Sequence, residues 1–158
     1  MLASEKHPYL LCAFGNKSLS DDGASIFALE SIKRKQPKLA DYKDYLYMDA
    51  NFINEIEGYE KVIIFDTTKS NKMKIGDFAV CDLSKFKESF HLCNFHDSSI
   101  KEIVEMGKIL GMNMPKDVFI FTIEIKENKL FSTKFSHELE RRIWISIIEM
   151  EKQVLKLI

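Results

Sequence analysis

Two acidic positions and one histidine segment carry the side chains best suited to chemistry. Asp21-Asp22 lies between a short apolar run and an amphipathic stretch, Asp66 closes the run Lys61-Val62-Ile63-Ile64-Phe65-Asp66, and His96-Asp97 precedes a second amphipathic stretch. Two carboxylates and an imidazole form a sensible donor set for a divalent cation, or for metal-assisted hydrolysis. The same groups could orient a water and shuttle its proton. Each also has a plainer use. An aspartate at a helix start usually caps the helix or complements its dipole, so Asp21 or Asp22 is expected to do so. A loop histidine usually faces solvent. A carboxylate ending a central strand is harder to reduce to structure, because α/β proteins place their ligands there.

Other motifs carry less. Gly15-Asn16 before Asp22-Gly23 has the look of a phosphate loop, but Lys17 and Ser20 occupy the later glycine positions and no G-K-[ST] follows. His91, Cys93 and His96 match no usual zinc spacing, and Cys93 reads as a small apolar residue. Lys33-Arg34-Lys35 falls at a helix end, where cations favour the dipole. Phe86, Phe90 and Phe95 read chiefly as core packing.

The elements that must position these groups alternate in type. Tyr9 to Phe14 is a continuous apolar run, as expected of a strand buried on both faces. Ala24 to Lys35 has helical periodicity and is closed by Pro37. Tyr45 to Met48, Lys61 to Asp66, Phe78 to Leu83 and Val118 to Ile125 read as strands. Ser99 and Glu102 have the spacing of a capping box opening a helix that stops at Gly111. A last helix runs from Ser136 to about Ile158, its apolar face built from Leu139, Ile143, Ile147, Met150 and Val154. The expected fold is α/β: one domain over residues 1–158, a three-layer α/β/α sandwich on a mostly parallel, twisted sheet of about five strands. Ligands should then sit beyond the carboxyl ends of the strands, over which all three polar segments project.

Composition narrows the function classes. The chain has 158 residues, 46% hydrophobic, with 23 Lys+Arg against 24 Asp+Glu and a net charge of −1, which argues against a globally basic nucleic-acid binder. Three cysteines without a C-x-x-C pair argue against a disulfide framework and for a reducing compartment. The segment from Met1 to Phe14 lacks the apolar core and cleavage site of a signal peptide, and no run is long enough to span a bilayer. A cytoplasmic monomer with neither nucleic-acid nor membrane partners is expected.

In order along nearly the whole chain, these motifs resemble the nickel–iron hydrogenase maturation endopeptidases. The pieces are Phe14-Gly15-Asn16 with Asp21-Asp22-Gly23, Val62-Ile63-Ile64-Phe65-Asp66, His96-Asp97-Ser98-Ser99, Leu110-Gly111 with Pro115, and Ser136-His137-Glu138-Leu139. The resemblance implies a peptidase that removes the C-terminal extension of a hydrogenase large-subunit precursor after nickel insertion. It also implies that Asp22, Asp66 and His96 bind nickel, which the substrate supplies and the enzyme does not keep. Catalytic and metal-binding roles of the three are not separable at this level. Asp49-Ala50-Asn51-Phe52 departs from the family's glycine-rich, often Gly-Thr, segment, and Asn94-Phe95 from its small residues before the histidine.

Two other classes fit some of the same residues. One is a homologue that holds a precursor or metal without cutting it. The other is a receiver-like phosphoacceptor domain binding Mg²⁺, although the acidic pair here follows its strand by seven residues and Lys126-Glu127 ends the last strand without a Lys-Pro. Incubation with a small phosphodonor is expected to leave Asp66 unmodified. An aspartyl phosphate at Asp66 in the intact-mass spectrum would identify the receiver class instead.

Overall fold

A computed structural model of the protein describes residues 6–85 and 96–158, with the backbone alone for 96–99. His91, Cys93, Phe86, Phe90 and Phe95, and the side chain of His96, lie outside the described residues. Five strands, β1 (Tyr9–Phe14), β2 (Asp41–Tyr45), β3 (Lys61–Thr68), β4 (Phe78–Asp82) and β5 (Asp117–Glu124), form one sheet in the order β2-β1-β3-β5-β4. All pairings are parallel except β4 against β5. The helices are α1 (Ala24–Lys35), α2 (Phe52–Ile56), α3 (His96–Ile109), α4 (His137–Glu140) and α5 (Ile143–Leu157).

The period-two alternation of a strand divides the core into two layers. Leu11, Ala13, Ile63, Phe65, Phe121 and Ile123 face one side, where they pack with residues of α1 and α5. Leu10, Cys12, Val62, Ile64, Val118 and Ile120 face the other, against Phe52, Ile56, Ile100 and Val104 of α2 and α3. Because both faces are covered, β1 and β3 read as unbroken apolar runs. The expected three-layer α/β/α sandwich is therefore present.

Element boundaries differ from the sequence expectation in four places. The second strand is Asp41–Tyr45, not Tyr45 to Met48. It is a polar edge strand with one neighbour, and its side chains are held by polar contacts: Lys43 Nζ and Tyr45 Oη donate to Glu55 at 2.7 and 3.0 Å, and Tyr59 Oη donates to Asp41 Oδ2 at 2.8 Å. Helix α2 had no sequence counterpart, being only five residues long. Helix α3 begins at His96, so Ser99 lies inside its first turn and the S-x-x-E spacing does not mark its start. The C-terminal helix is interrupted at Arg141-Arg142, yet the five apolar positions from Leu139 to Val154 are all at most 1% exposed. In addition, Cys81 on β4 is disulfide-bonded, against the expectation of reduced cysteines. The odd cysteine count leaves room for one such bridge beside a free thiol, Cys12. Burial pushes the Cys12 thiol far above its ordinary value, which removes it as a nucleophile.

Neither Asp21 nor Asp22 caps α1. Gly23 is at the N-cap position and no side chain bonds there. Asp21 is fully buried and committed elsewhere. Its Oδ2 accepts the backbone N–H groups of Lys126 and Glu127 at 3.1 and 3.0 Å and the Ser136 hydroxyl at 2.7 Å, while Oδ1 accepts the Ser136 N–H at 2.6 Å. Ser136 in turn caps α4, accepting the Leu139 N–H. Backbone bonds Ser20 N–H to Ser132 O, Ser132 N–H to Ser18 O and Asp21 N–H to Glu127 O complete the join between the two segments. Asp21→Asn would set an NH2 group against these N–H donors and is expected to cost about 3 kcal/mol. Thermal unfolding should register this as a fall of about 6–12 °C in Tm. A loss below about 1 kcal/mol would show that the cluster contributes little to stability.

Candidate functional site

The strand order dictates where a site can form. β1 connects through α1 to β2 on one side, while β3 lies on the other side of β1 and leads away toward β5 and β4. The connections diverge at the carboxyl ends of β1 and β3, and such a switch point leaves a crevice. Asp22 comes from the turn after β1, and Asp66 lies one residue beyond the last β1–β3 pair, Ala13 with Phe65. Both line a cleft of about 900 Å³, a size suited to a small ligand or a short peptide segment.

Asp22 is positioned by a turn that only glycine permits at its root. A Cβ on Gly15 would lie 2.4 Å from the Asp22 carbonyl oxygen and 2.7 Å from Ser25 Oγ. One on Gly23 would lie 3.1 Å from Lys17 Cα. The backbone thus folds back on itself between Gly15 and Gly23, with Leu19 N–H bonded to Asn16 O and Asp22 N–H to Leu19 O at 3.1 Å each. Inside this turn the Asn16 N–H donates to Asp22 Oδ2 at 2.8 Å. The other oxygen, Oδ1, accepts the Thr67 hydroxyl at 2.9 Å. Thr67 also donates its backbone N–H to Asp66 Oδ1 at 2.8 Å. The two carboxylates are therefore both within hydrogen-bond reach of one residue.

The rest of the cleft has an acidic and an apolar side. Among the described residues, Asp49 and Glu102 join Asp22 and Asp66 in its lining, against one cation, Lys69, so this part of the cleft favours positive charge. Leu46 and Tyr47, expected as strand interior, instead stand 67% and 70% exposed at its mouth, and Met106 of α3 is 52% exposed. Loop residues Ser70 and Asn71 are anchored by buried Glu124, which accepts the Ser70 hydroxyl and the Asn71 N–H.

Of the residues picked from the sequence, Asp22 and Asp66 meet in the cleft and Asp21 does not face it. Among the described residues no three His, Cys, Asp or Glu side chains are close enough to hold a metal ion. The expected third donor is His96, at the first residue of α3, whose Glu102, Ile103 and Met106 reach the cleft. The sequence marks Asp49 only through the departing segment Asp49-Ala50-Asn51-Phe52 and Glu102 only as a capping residue, and it singles out neither Thr67 nor Lys69. For Thr67 the one available signal was its place directly after the strand-end aspartate.

Neither protein-family models nor curated proteins give a match to this sequence. Solved structures do match. Hydrogenase maturating endopeptidase HybD from E. coli superposes with a TM-score of 0.67 at 15% identity, over 90% of this chain and 88% of that one. The [NiFe] hydrogenase maturation protease HybD from Thermococcus kodakarensis gives 0.64 at 21% identity, over 92% and 97%. The hydrogenase 2 maturation peptidase from Thaumarchaeota archaeon SCGC_AB-539-E09 gives 0.63 at 18% identity, again over 92% and 97%. The chain therefore has the fold of the hydrogenase maturation endopeptidases over about nine-tenths of its length, with Asp22 and Asp66 in one cleft at the switch point of its sheet.

Proposed function

We propose that the protein is a hydrogenase maturation endopeptidase, which removes the C-terminal extension of a nickel–iron hydrogenase large-subunit precursor once nickel is in place. The observation that carries this reading is the pairing of Asp22 and Asp66 in one cleft, on a fold shared with such peptidases. Asp22, Asp66 and His96 complete the coordination of the nickel that the precursor brings, and nickel is part of the substrate instead of a resident cofactor. Carboxylate oxygens and an imidazole nitrogen suit that ion. Held this way, the scissile peptide is placed beside the site, where proximity and polarisation assist attack by water. Hydrolysis adds the elements of water across the C–N bond and releases the tail. The acidic cleft and its apolar lip suit a peptide segment presenting a cation.

A phosphoacceptor role is less well supported, because a receiver-type sheet runs 2-1-3-4-5 and here the edge strand is antiparallel and the order ends β5-β4. The non-cleaving alternative finds its support in the departure at Asp49-Ala50-Asn51-Phe52, which borders the cleft and enters α2. No helix among the described residues is long and apolar enough to cross a membrane.

The decisive experiment incubates the protein with nickel-loaded and nickel-free large-subunit precursors from the same cell and follows their intact masses. Loss of a C-terminal peptide is expected from the nickel-loaded precursor alone. Asp66→Asn and His96→Ala are each expected to lower that processing by more than about 100-fold while leaving the protein folded by circular dichroism. Full activity in either variant would overturn the corresponding assignment. Binding without cleavage would favour the non-cleaving homologue.

A further inference from the structure

We propose that Thr67 is a positioning residue that sets Asp22 and Asp66 relative to each other. The inference rests on the reading of Asp22 and Asp66 as cation ligands and adds a residue to it. Thr67 reaches both through different atoms. Its hydroxyl donates to Asp22 Oδ1 at 2.9 Å and its backbone N–H donates to Asp66 Oδ1 at 2.8 Å.

Asp22 arrives on a turn and Asp66 on a strand, so nothing in the local chain fixes their mutual geometry. The terminal torsion of an aspartate is broad, whereas a site that grips a cation needs its ligands held to about half an ångström. Asp22 has one oxygen pinned by its own turn, through the Asn16 N–H. The Thr67 hydroxyl pins the other from β3, leaving the carboxylate no free rotation. Each oxygen keeps a second lone pair, so these bonds do not consume its capacity to coordinate.

Thr67 is itself held firmly. It pairs in register with Ile123 of β5, and a β-branched side chain in a strand has a restricted χ1. The hydroxyl is thereby aimed across the switch point at a residue 45 positions earlier in the chain. Partners of this kind that orient a metal-binding group typically change metal affinity by about 10–100-fold when removed.

The test titrates the intact protein with Ni²⁺ by isothermal calorimetry and records a thermal melt for each variant. Thr67→Val removes the hydroxyl and keeps shape and backbone N–H. It should weaken Ni²⁺ binding by about 10-fold or more, and Thr67→Ser, which restores the donor, should bind within about threefold of the unmutated protein. Should Thr67→Val fail to fold, Thr67→Ala takes its place with the same expectation. A fall in Tm with unchanged Ni²⁺ affinity would reduce Thr67 to a loop fastener and overturn the proposal. Equal weakening in Thr67→Ser would overturn it too, since the hydroxyl would not be the cause. Asp66→Asn separates the two levels: if it abolishes Ni²⁺ binding while Thr67→Val does not weaken it, only Thr67 is misassigned. If Asp66→Asn binds Ni²⁺ normally, or the unmutated protein neither takes Ni²⁺ nor processes the nickel-loaded precursor, the cation reading fails and the role of Thr67 with it.

Discussion

The buried carboxylate of Asp21 accepts four hydrogen bonds from a segment more than a hundred residues away, and the presentation of its neighbour Asp22 to the cleft follows from it. A buried anion is tolerable only when its lone pairs are satisfied, and here the donors come from Lys126, Glu127 and Ser136. The turn after β1 is thereby tied to the segment that follows β5, and the same serine starts α4. Asp22, next in sequence, is left to face the opposite way. One carboxylate of the pair organises the fold and its neighbour is presented to the cleft.

That division depends on close backbone approach as well as on polarity. The absence of a side chain at Gly15 lets the Asp22 carbonyl come to where a Cβ would be. The Asn16 N–H can then close on Asp22 Oδ2 within the turn. The Gly-Asn and Asp-Asp-Gly pieces of the motif are thus one folded unit, with glycines making room, Asp21 anchoring and Asp22 projecting. On the other side of the switch point, β3 carries Asp66 and Thr67 in register with β5. Two rigid pieces meet at a crevice whose location is a property of strand order.

The lip of the cleft inverts the usual relation between apolarity and burial. Tyr45 to Met48 reads as a strand because it is apolar, while the true strand, Asp41–Tyr45, is mostly polar. An edge strand has one neighbour and is only half covered, so its hydrophobic signal is weak. Leu46 and Tyr47 lie outside the sheet altogether and face solvent at the mouth of the cleft. Exposed apolar side chains beside an acidic floor are a costly arrangement for a free surface and a useful one for gripping a peptide.

The sequence by itself determined the α/β class, the buried central strands, the apolar face from Leu139 to Val154, and the choice of Asp22 and Asp66 as site candidates. These are legible because they are local: a period of two or 3.6, a glycine beside a carboxylate, an aspartate closing a β-branched run. Only the tertiary structure decided the rest. It separated Asp21 from Asp22, since neighbours in sequence can point to opposite surroundings. It made Thr67 the link between Asp22 and Asp66, a contact that spans 45 residues and leaves no periodic trace. It also set Ser99 inside α3 and moved the second strand to Asp41–Tyr45, because a local spacing does not show what packs and bonds against a segment. Local propensity is written residue by residue, whereas the pairing of distant carboxylates depends on strand order, which no short window of sequence contains.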